Sequence, residues 1–414
     1  MADNMNKIDK LIKELCPEGV EFKELWEVTA WDKRFNAVDN KKQKKILSFN
    51  HISSKDLKDL EAENGNIKLL ATGKFDGWTT EGLAGENLNE GEVISIPSGG
   101  SASIKYYKGK FVDSGNILAS SINEEILNLK YCYYFLLIKN ELIESCFRGA
   151  GVKHPNMTEI LKIKIPLPPL PIQEEIVKIL DNFTELEAEL EAELEARKKQ
   201  YEYYREELLT FGDNVERIPL YELCKIGDGL HGTPKYTPLG KYYFINGNNL
   251  KKGCLVFEEH TKKVDEEMFI KHGIEFFAGK TLFMSINGTI GSVAFFRNEN
   301  IVLGKSVAYF NLKSDSLNLR FLYYLLQTTF AKNYYENQKT GATIKNLGLK
   351  ALREFKIPLP SSNEQEKIVK ILDKFDALVN DISIGLPAEL KDRRKQYEHY
   401  RNKLLSFNEV KANG

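Results

Sequence analysis

The chain has 414 residues, 42% of them hydrophobic and 28% charged, with a formal net charge of −1. That length carries two or three domains with their own cores, and 23 Phe and 19 Tyr exclude a disordered chain. No apolar run approaches the ~20 residues of a membrane-spanning helix, and the five scattered cysteines (Cys16, Cys132, Cys146, Cys224, Cys254) form neither a C-x-x-C pair nor, being odd in number, a closed disulfide framework. The expected location is a reducing cytoplasm.

The opening "MADNMNKIDKLIKEL" lacks the apolar core and cleavage site of a secretory signal. It predicts an amphipathic helix over residues 1–16, with Ile8, Leu11, Ile12 and Leu15 on one face. A mixed body over 17–168 follows, in which short strand-like runs such as "GEVISIP" alternate with Gly/Asn/Ser turns and one helix surrounds a Tyr-Tyr pair. "IPLP" then holds the chain extended, outside regular helix or sheet. A long helix over 169–211 comes next, with Pro171 suited to its first turn.

The same grammar runs again. A second body over 212–360 leads to a second long helix over 361–410, for which Ser362-x-x-Gln365 has the form of a capping box. Gly385 and Pro387 predict a kink near 385–387. "KIPLPPLPIQEEIVKILDNF" at Lys164 recurs as "KIPLPSSNEQEKIVKILDKF" at Lys356, and "RKKQYEYYREELLTF" at Arg197 recurs as "RRKQYEHYRNKLLSF" at Arg393. Weaker echoes pair "GAGVK" at Gly149 with "GATIK" at Gly341, and "LNLKYCYYFLL" at Leu127 with "LNLRFLYYLL" at Leu317. Matches in one order at nearly constant offset mark a tandem duplication.

Near-neutral charge conceals an uneven distribution. Ile172–Phe211 holds 12 acidic and 5 basic residues, a balance of −7, so the remainder carries +6. The first long helix carries an apolar stripe that includes Phe183, Leu186, Leu190, Leu194 and Tyr201; the second carries Phe375, Leu378, Ile382, Leu390 and Tyr397. Rows of Glu at i,i+4 spacing (Glu185, Glu189, Glu193; Glu187, Glu191, Glu195) repel themselves. An antiparallel pairing brings the start of that block near Lys391, Arg393, Arg394 and Lys395. A parallel one would set basic residues against each other, so antiparallel is expected, with the bodies related by approximate twofold symmetry at opposite ends of a rod.

Enzyme signatures are near misses. "GIEFFAGKT" at Gly273 has five residues between its glycines where a phosphate loop has four, and bulky phenylalanines where backbone must wrap phosphate. It reads as a strand end. There is no H-E-x-x-H, no Asn/Asp-Pro-Pro-Tyr stretch, and the six histidines are widely spaced. No metal site and no catalytic residue are expected.

What the bodies do offer is basic, polar and aromatic residues interleaved in turns. The first has Lys33, Arg34 and Asn36, then Ser103, Lys105, Tyr106 and Lys108. The second has His231, Thr233, Lys235, Tyr236, Asn246, Asn248 and Asn249. Arg and Lys suit phosphates and guanine edges, and Asn pairs two-point with adenine. Any one of them also suits an ordinary solvated loop. Lys153 and His154 in the first half and Lys345 and Asn346 in the second stand at matching places, which favours a shared phosphate contact there.

The order of body, "IPLPPLPIQEEIVKILD", long helix and "RKKQYEYYREELL", all repeated, resembles the specificity (S) subunit of type I restriction–modification systems. "IKELCPEGVEFKELWEV" and "GLPAELKDRRKQYEHYRNKLL" look like the same family's phrases. The resemblance covers essentially the whole chain. It implies an α+β fold in which two α/β-mixed target-recognition domains are separated by two long antiparallel, coiled-coil-like helices with an internal pseudo-twofold repeat. Each body would read one half of a split double-stranded DNA target, and the helices would set the gap. Two methyltransferase (M) subunits would dock on the helices, joined in complexes that cleave by two restriction (R) subunits. This chain itself would bind no cofactor; S-adenosylmethionine, ATP and Mg2+ would belong to the partner subunits. No membrane partner is implied.

The resemblance gives meaning to the thrice-repeated Glu-Leu-Glu-Ala from Glu185 to Ala196. One unit lengthens a helix by ~6 Å and rotates it by ~40°, close to the ~34–36° twist of one DNA base pair. Repeat number would therefore set the gap. The residues alone leave a second reading open, a non-enzymatic protein-binding scaffold with a coiled-coil spacer. Steeply salt-dependent binding to duplex DNA separates the two.

Overall fold

The computed structural model describes residues 2–381 and 383–410, with side chains from Lys7 onward. Its contacts divide into two compact units. One comprises the residues up to Ala188 together with those from Asp392 on; the other runs from Glu189 to Lys391.

The first unit is built on a six-stranded sheet in the order Thr29–Trp31, Asn116–Ser121, Asn89–Pro97, Lys105–Asp113, Ile67–Leu70, Asp76–Thr79. All pairings are antiparallel except that of Ile67–Leu70 with Lys105–Asp113. One face packs on the helix Leu129–Ile138, whose N-cap Asn128 accepts from the backbone of Lys130 and Tyr131. Ile8 of the helix Ala2–Leu15 is buried in the same core and Leu11 and Ile12 lie against it, while Leu15, expected on that face, is 46% exposed.

The second unit keeps this strand order in broken form. Cys224–Asp228, Val307–Leu312, Thr281–Ser285 and Val293–Phe295 form one sheet, and Lys263–Val264, Tyr242–Ile245 and Ile301–Leu303 form another. The parallel pairing recurs, here between Tyr242–Ile245 and Ile301–Leu303. Residues 296–300 interrupt what is one continuous strand in the first unit, with Asn298 at φ 71°. A single sheet thereby becomes two.

"IPLP" departs from expectation. Lys164–Leu167 pairs with Glu21–Glu24, setting Pro166 opposite Phe22, and Lys356–Pro358 pairs likewise with Arg217–Pro219. In a two-stranded ribbon every strand is an edge, and proline is tolerated at an edge because its missing N–H can face away from the partner.

The first long helix is unbroken from Leu170 to Leu208. The second is two helices, Ser362–Asn380 and Leu386–Leu404. Gly385 donates to Asp381 O and accepts from Ala388 N, and a Cβ there would lie 2.4 Å from Ala377 O. Glycine permits that close turn, and Pro387 falls in the first turn of the new helix. The expected capping box is corrected: Ser361 caps the helix, its side chain accepting from Glu364 N. Gln365 instead turns into the body.

That turn is duplicated. Gln173 and Gln365 are fully buried. Gln173 Nε2 donates to Ile126 O and Pro168 O, both at 2.8 Å, while its Oε1 accepts from Asn128 N at 2.9 Å. Gln365 Nε2 donates to Ser316 O (2.8 Å) and Pro360 O (2.9 Å), and its Oε1 accepts from Asn318 N (2.8 Å). Beside each glutamine a cation and a tyrosine converge on an aspartate of the long helix: Lys130 and Tyr134 on Asp181, Arg320 and Tyr324 on Asp373.

Within each unit the long helices run antiparallel. In the first, Phe183 meets Tyr397 and Tyr400 while Glu187 accepts from Arg394 Nε at 2.6 Å. In the second, Tyr204 stacks on Phe375 and Tyr201 reaches Asp376. Leu194 and Tyr201 are buried there, with Leu190, Phe375 and Leu378 packed against the same core, and Leu390 is also buried. Leu186 corrects the expected stripe. It is 40% exposed, because Phe183 and Glu187 are the residues facing the tail helix. Ile382 lies outside the described residues.

Candidate nucleic-acid interface

The clearest shared feature of the two bodies is a hairpin. In the first, Phe147–Arg148 pairs with His154–Pro155; in the second, Thr340 bridges Asn346 through both backbone bonds. The five-residue tips are Gly149–Lys153 and Gly341–Lys345. Both open on a glycine at positive φ, 149° and 94°, where a Cβ would lie 2.7 Å from Val152 O and 2.3 Å from Ile344 O. No side chain fits either place.

Each tip is braced against a glycine-containing turn at the end of a sheet strand. Gly100 N donates to Lys153 O at 2.8 Å, and Gly288 N donates to Lys345 O at 3.0 Å. His154 adds a contact from Nδ1 to Ser98 O at 2.6 Å, and Asn346 forms a backbone bridge with Asn287. Two bodies that differ in most of their residues thus brace the same small ledge with the same backbone bond, and in the second Lys345 Nζ also donates to Gly341 O at 3.0 Å. Lys153 and Lys345 stand exposed on it.

In the second body the ledge borders a cavity of about 760 Å³ lined by Asp228, His231, Asn287, Lys305, Ser306 and Asn346 among others. Two sequence candidates, His231 and Asn346, meet there. His231 Nε2 lies 2.7 Å from Asp228, and Asn246 Oδ1 accepts from Ser306 Oγ at 3.2 Å on its rim. Asp228, Asn287, Lys305 and Ser306 escaped the sequence reading. They sit at strand ends rather than in the aromatic-basic runs that drew attention.

Other candidates are scattered. Thr233, Lys235, Tyr236 and Asn248 are exposed, and the Tyr236 ring lies edge-on to Phe244 at 5.7 Å. Asn249 is engaged inside its own turn, accepting from Asn246 N and donating to Val256 O, both at 3.0 Å. In the first body Arg34 and Asn36 are exposed, with Arg34 bonded to Asn40, while Lys33 donates to Asn116 O at 3.3 Å. Ser103 is half-buried.

Lys105, expected at the DNA, is engaged within its own body. Its Nζ donates to Ala71 O at 2.6 Å and Gly73 O at 2.7 Å, and burial lowers its pKa. Its ammonium ties down the loop that holds Ala71 and Gly73. Tyr106 and Lys108 both bond Glu92, at 2.9 and 3.0 Å, so that carboxylate offsets the positive charge there.

Comparison with known proteins agrees with this architecture. The family model described as "Type I restriction modification DNA specificity domain" matches residues 38–196 and again 212–392. The chain is 33% identical over 308 residues to the Escherichia coli type I restriction enzyme EcoR124I/EcoR124II specificity subunit, covering 70% of this chain and 74% of that one. It is 31% identical over 433 residues to a putative type I restriction enzyme specificity subunit of Haemophilus influenzae, covering 98% and 100%. Among solved structures, the type I restriction–modification S subunit from M. genitalium shares the fold with a TM-score of 0.57 at 16% identity, over 94% of this chain and 96% of that one. A chain from a study of type I R-M complex assembly gives 0.58 at 16% identity, over 94% and 98%. A body that occurs twice, each copy matching the same specificity domain, places this chain in the family of type I restriction–modification specificity subunits.

Proposed function

We propose that this chain is the address-reading subunit of a type I restriction–modification complex, each body contacting one half of a bipartite duplex DNA target. The observation that carries this is the repeated braced ledge, which in the second body adjoins a polar cavity holding His231, Asn287, Lys305 and Asn346. Clustered donors and acceptors at strand ends suit base edges, and exposed lysines suit phosphates. The bodies diverge where they would read different half-sites.

Two M subunits dock on the long helices and carry out adenine methylation with S-adenosylmethionine. R subunits, where present, bring ATP and Mg2+. This chain supplies the address and its helices the spacing, within the cytoplasm. The division between the two compact units falls at Ala188–Glu189, inside the Glu-Leu-Glu-Ala block. Deleting Glu189–Ala192 therefore tests the reading. With the M subunit present, N6-methyladenine mapping is expected to return the same two half-sites with a shorter gap. An unchanged gap would remove the helix from any measuring role.

A further inference from the structure

The matched ledges carry a second, exposed feature. Val152 is 64% and Ile344 68% exposed, each one residue before the shared lysine at a hairpin tip. A β-branched aliphatic side chain held in water by a glycine-closed loop gains nothing from burial in its own fold. Their hairpins are fixed by the same backbone bond from the neighbouring glycine turn, Gly100 to Lys153 and Gly288 to Lys345. Both tips are thus held at the same place on their bodies.

Within one chain the two bodies serve as an internal control. Residues that read bases must differ between two different half-sites. What both half-sites share is the sugar–phosphate backbone, and a contact to it can stay the same. The five-residue tips keep the order Gly-Ala-x-(Val/Ile)-Lys, whereas the surrounding body has broken one sheet into two. Arg148 adds an exposed cation at the base of the first hairpin, and Lys305 lines the cavity beside the second.

Resting on the DNA-reading function above, we propose that Gly149–Lys153 and Gly341–Lys345 are a matched pair of sequence-independent clamps on the duplex backbone. Each lays its lysine on a phosphate and its aliphatic side chain on the adjoining deoxyribose. The clamps fix the register of each body on its half-site and leave base choice to the residues around them.

The test uses the full chain with its M subunit and two duplexes, one carrying the mapped bipartite target and one with both half-sites scrambled. Binding is followed over a salt series for wild type, K153Q, K345Q, the double variant and K153R/K345R. Each glutamine substitution is expected to lower the slope of log affinity against log salt by about one, and the arginine pair to retain it. Both duplexes are expected to weaken by the same factor, with the methylated motif unchanged. V152D and I344D, which bring a carboxylate against phosphates, are expected to weaken both duplexes further. All these positions are exposed, so thermal melting is expected to match wild type. An unchanged slope in K153Q/K345Q, or an altered motif in one half-site, overturns the proposal. Loss of M copurification with an unchanged slope also overturns it and assigns the loops to that subunit. The wild-type complex separates this outcome from the parent reading: if it binds the target with steep salt dependence, DNA reading stands whatever the lysines do. If it binds neither duplex, DNA reading fails and the clamps fail with it.

Discussion

The Phe183 ring stacks on Tyr400, centroids 5.6 Å apart and planes at 29°, although 217 positions separate them in the chain. The core of the first unit is therefore completed by the helix Leu386–Leu404, whose Leu404, with Leu405 just beyond its end, is also buried in it. The second unit repeats the pair as Phe375 on Tyr204, at 5.2 Å and 26°. F183A is expected to cost the first unit about 3 kcal/mol. Hydrogen exchange would show that loss in the sheet strands Asn89–Pro97 and Lys105–Asp113, with little change in Thr281–Ser285. Equal loosening of both units would argue against separate cores.

Gln173 and Gln365 hold each long helix to its own body through three hydrogen bonds apiece, made by a fully buried side chain. Q173L and Q365L each strand two carbonyls and an N–H, and each is expected to cost about 2–4 kcal/mol. Q173E is worse, since it faces a buried carboxylate with the carbonyls of Ile126 and Pro168. Denaturant melts of the three variants check the order. A neutral Q173L would show that the helix needs no polar pin.

His51 lies between two carboxylates whose side chains have no solvent exposure, 2.7 Å from Asp113 and 2.9 Å from Asp32. The hydrogen bond to Asp113 and then that to Asp32 raise its pKa to about 9, with burial opposing. A histidine raised in the folded state contributes stability that is complete below its unfolded value near 6.5 and is lost as pH rises through about 9. The first unit is therefore expected to be less stable at pH 9.5 than at pH 6, an effect absent in H51Q. H51Q itself leaves two buried carboxylates without their cation, at a cost of about 3 kcal/mol. A pH profile of unfolding that is the same in wild type and H51Q would contradict this.

The duplication, the long helices and their antiparallel sense were legible because repeats and apolar stripes are one-dimensional signals. The break near Gly385 was legible for the same local reason. Sheet order was not. The parallel pairing of Ile67–Leu70 with Lys105–Asp113 joins strands about forty residues apart, which no local pattern announces. The ledge was half legible. Lys153 and Lys345 were found by repeat matching, but Val152 and Ile344 look like core residues until their exposure is known. Lys105 is the opposite case: a lysine beside two tyrosines reads as a nucleic-acid contact, and only the fold shows that its Nζ is bonded to Ala71 O and Gly73 O. The Asp32–His51–Asp113 cluster could not be read at all, since its members come together only when three separate segments fold.

The most direct test of the central claim is to map N6-methyladenine across the genome of a host that carries this gene and its M subunit, with the gene present and deleted. One split motif with a fixed gap is expected to disappear on deletion and return on complementation. An identical methylation pattern in both strains, with the M subunit expressed, would contradict it and leave the chain as a protein-binding scaffold.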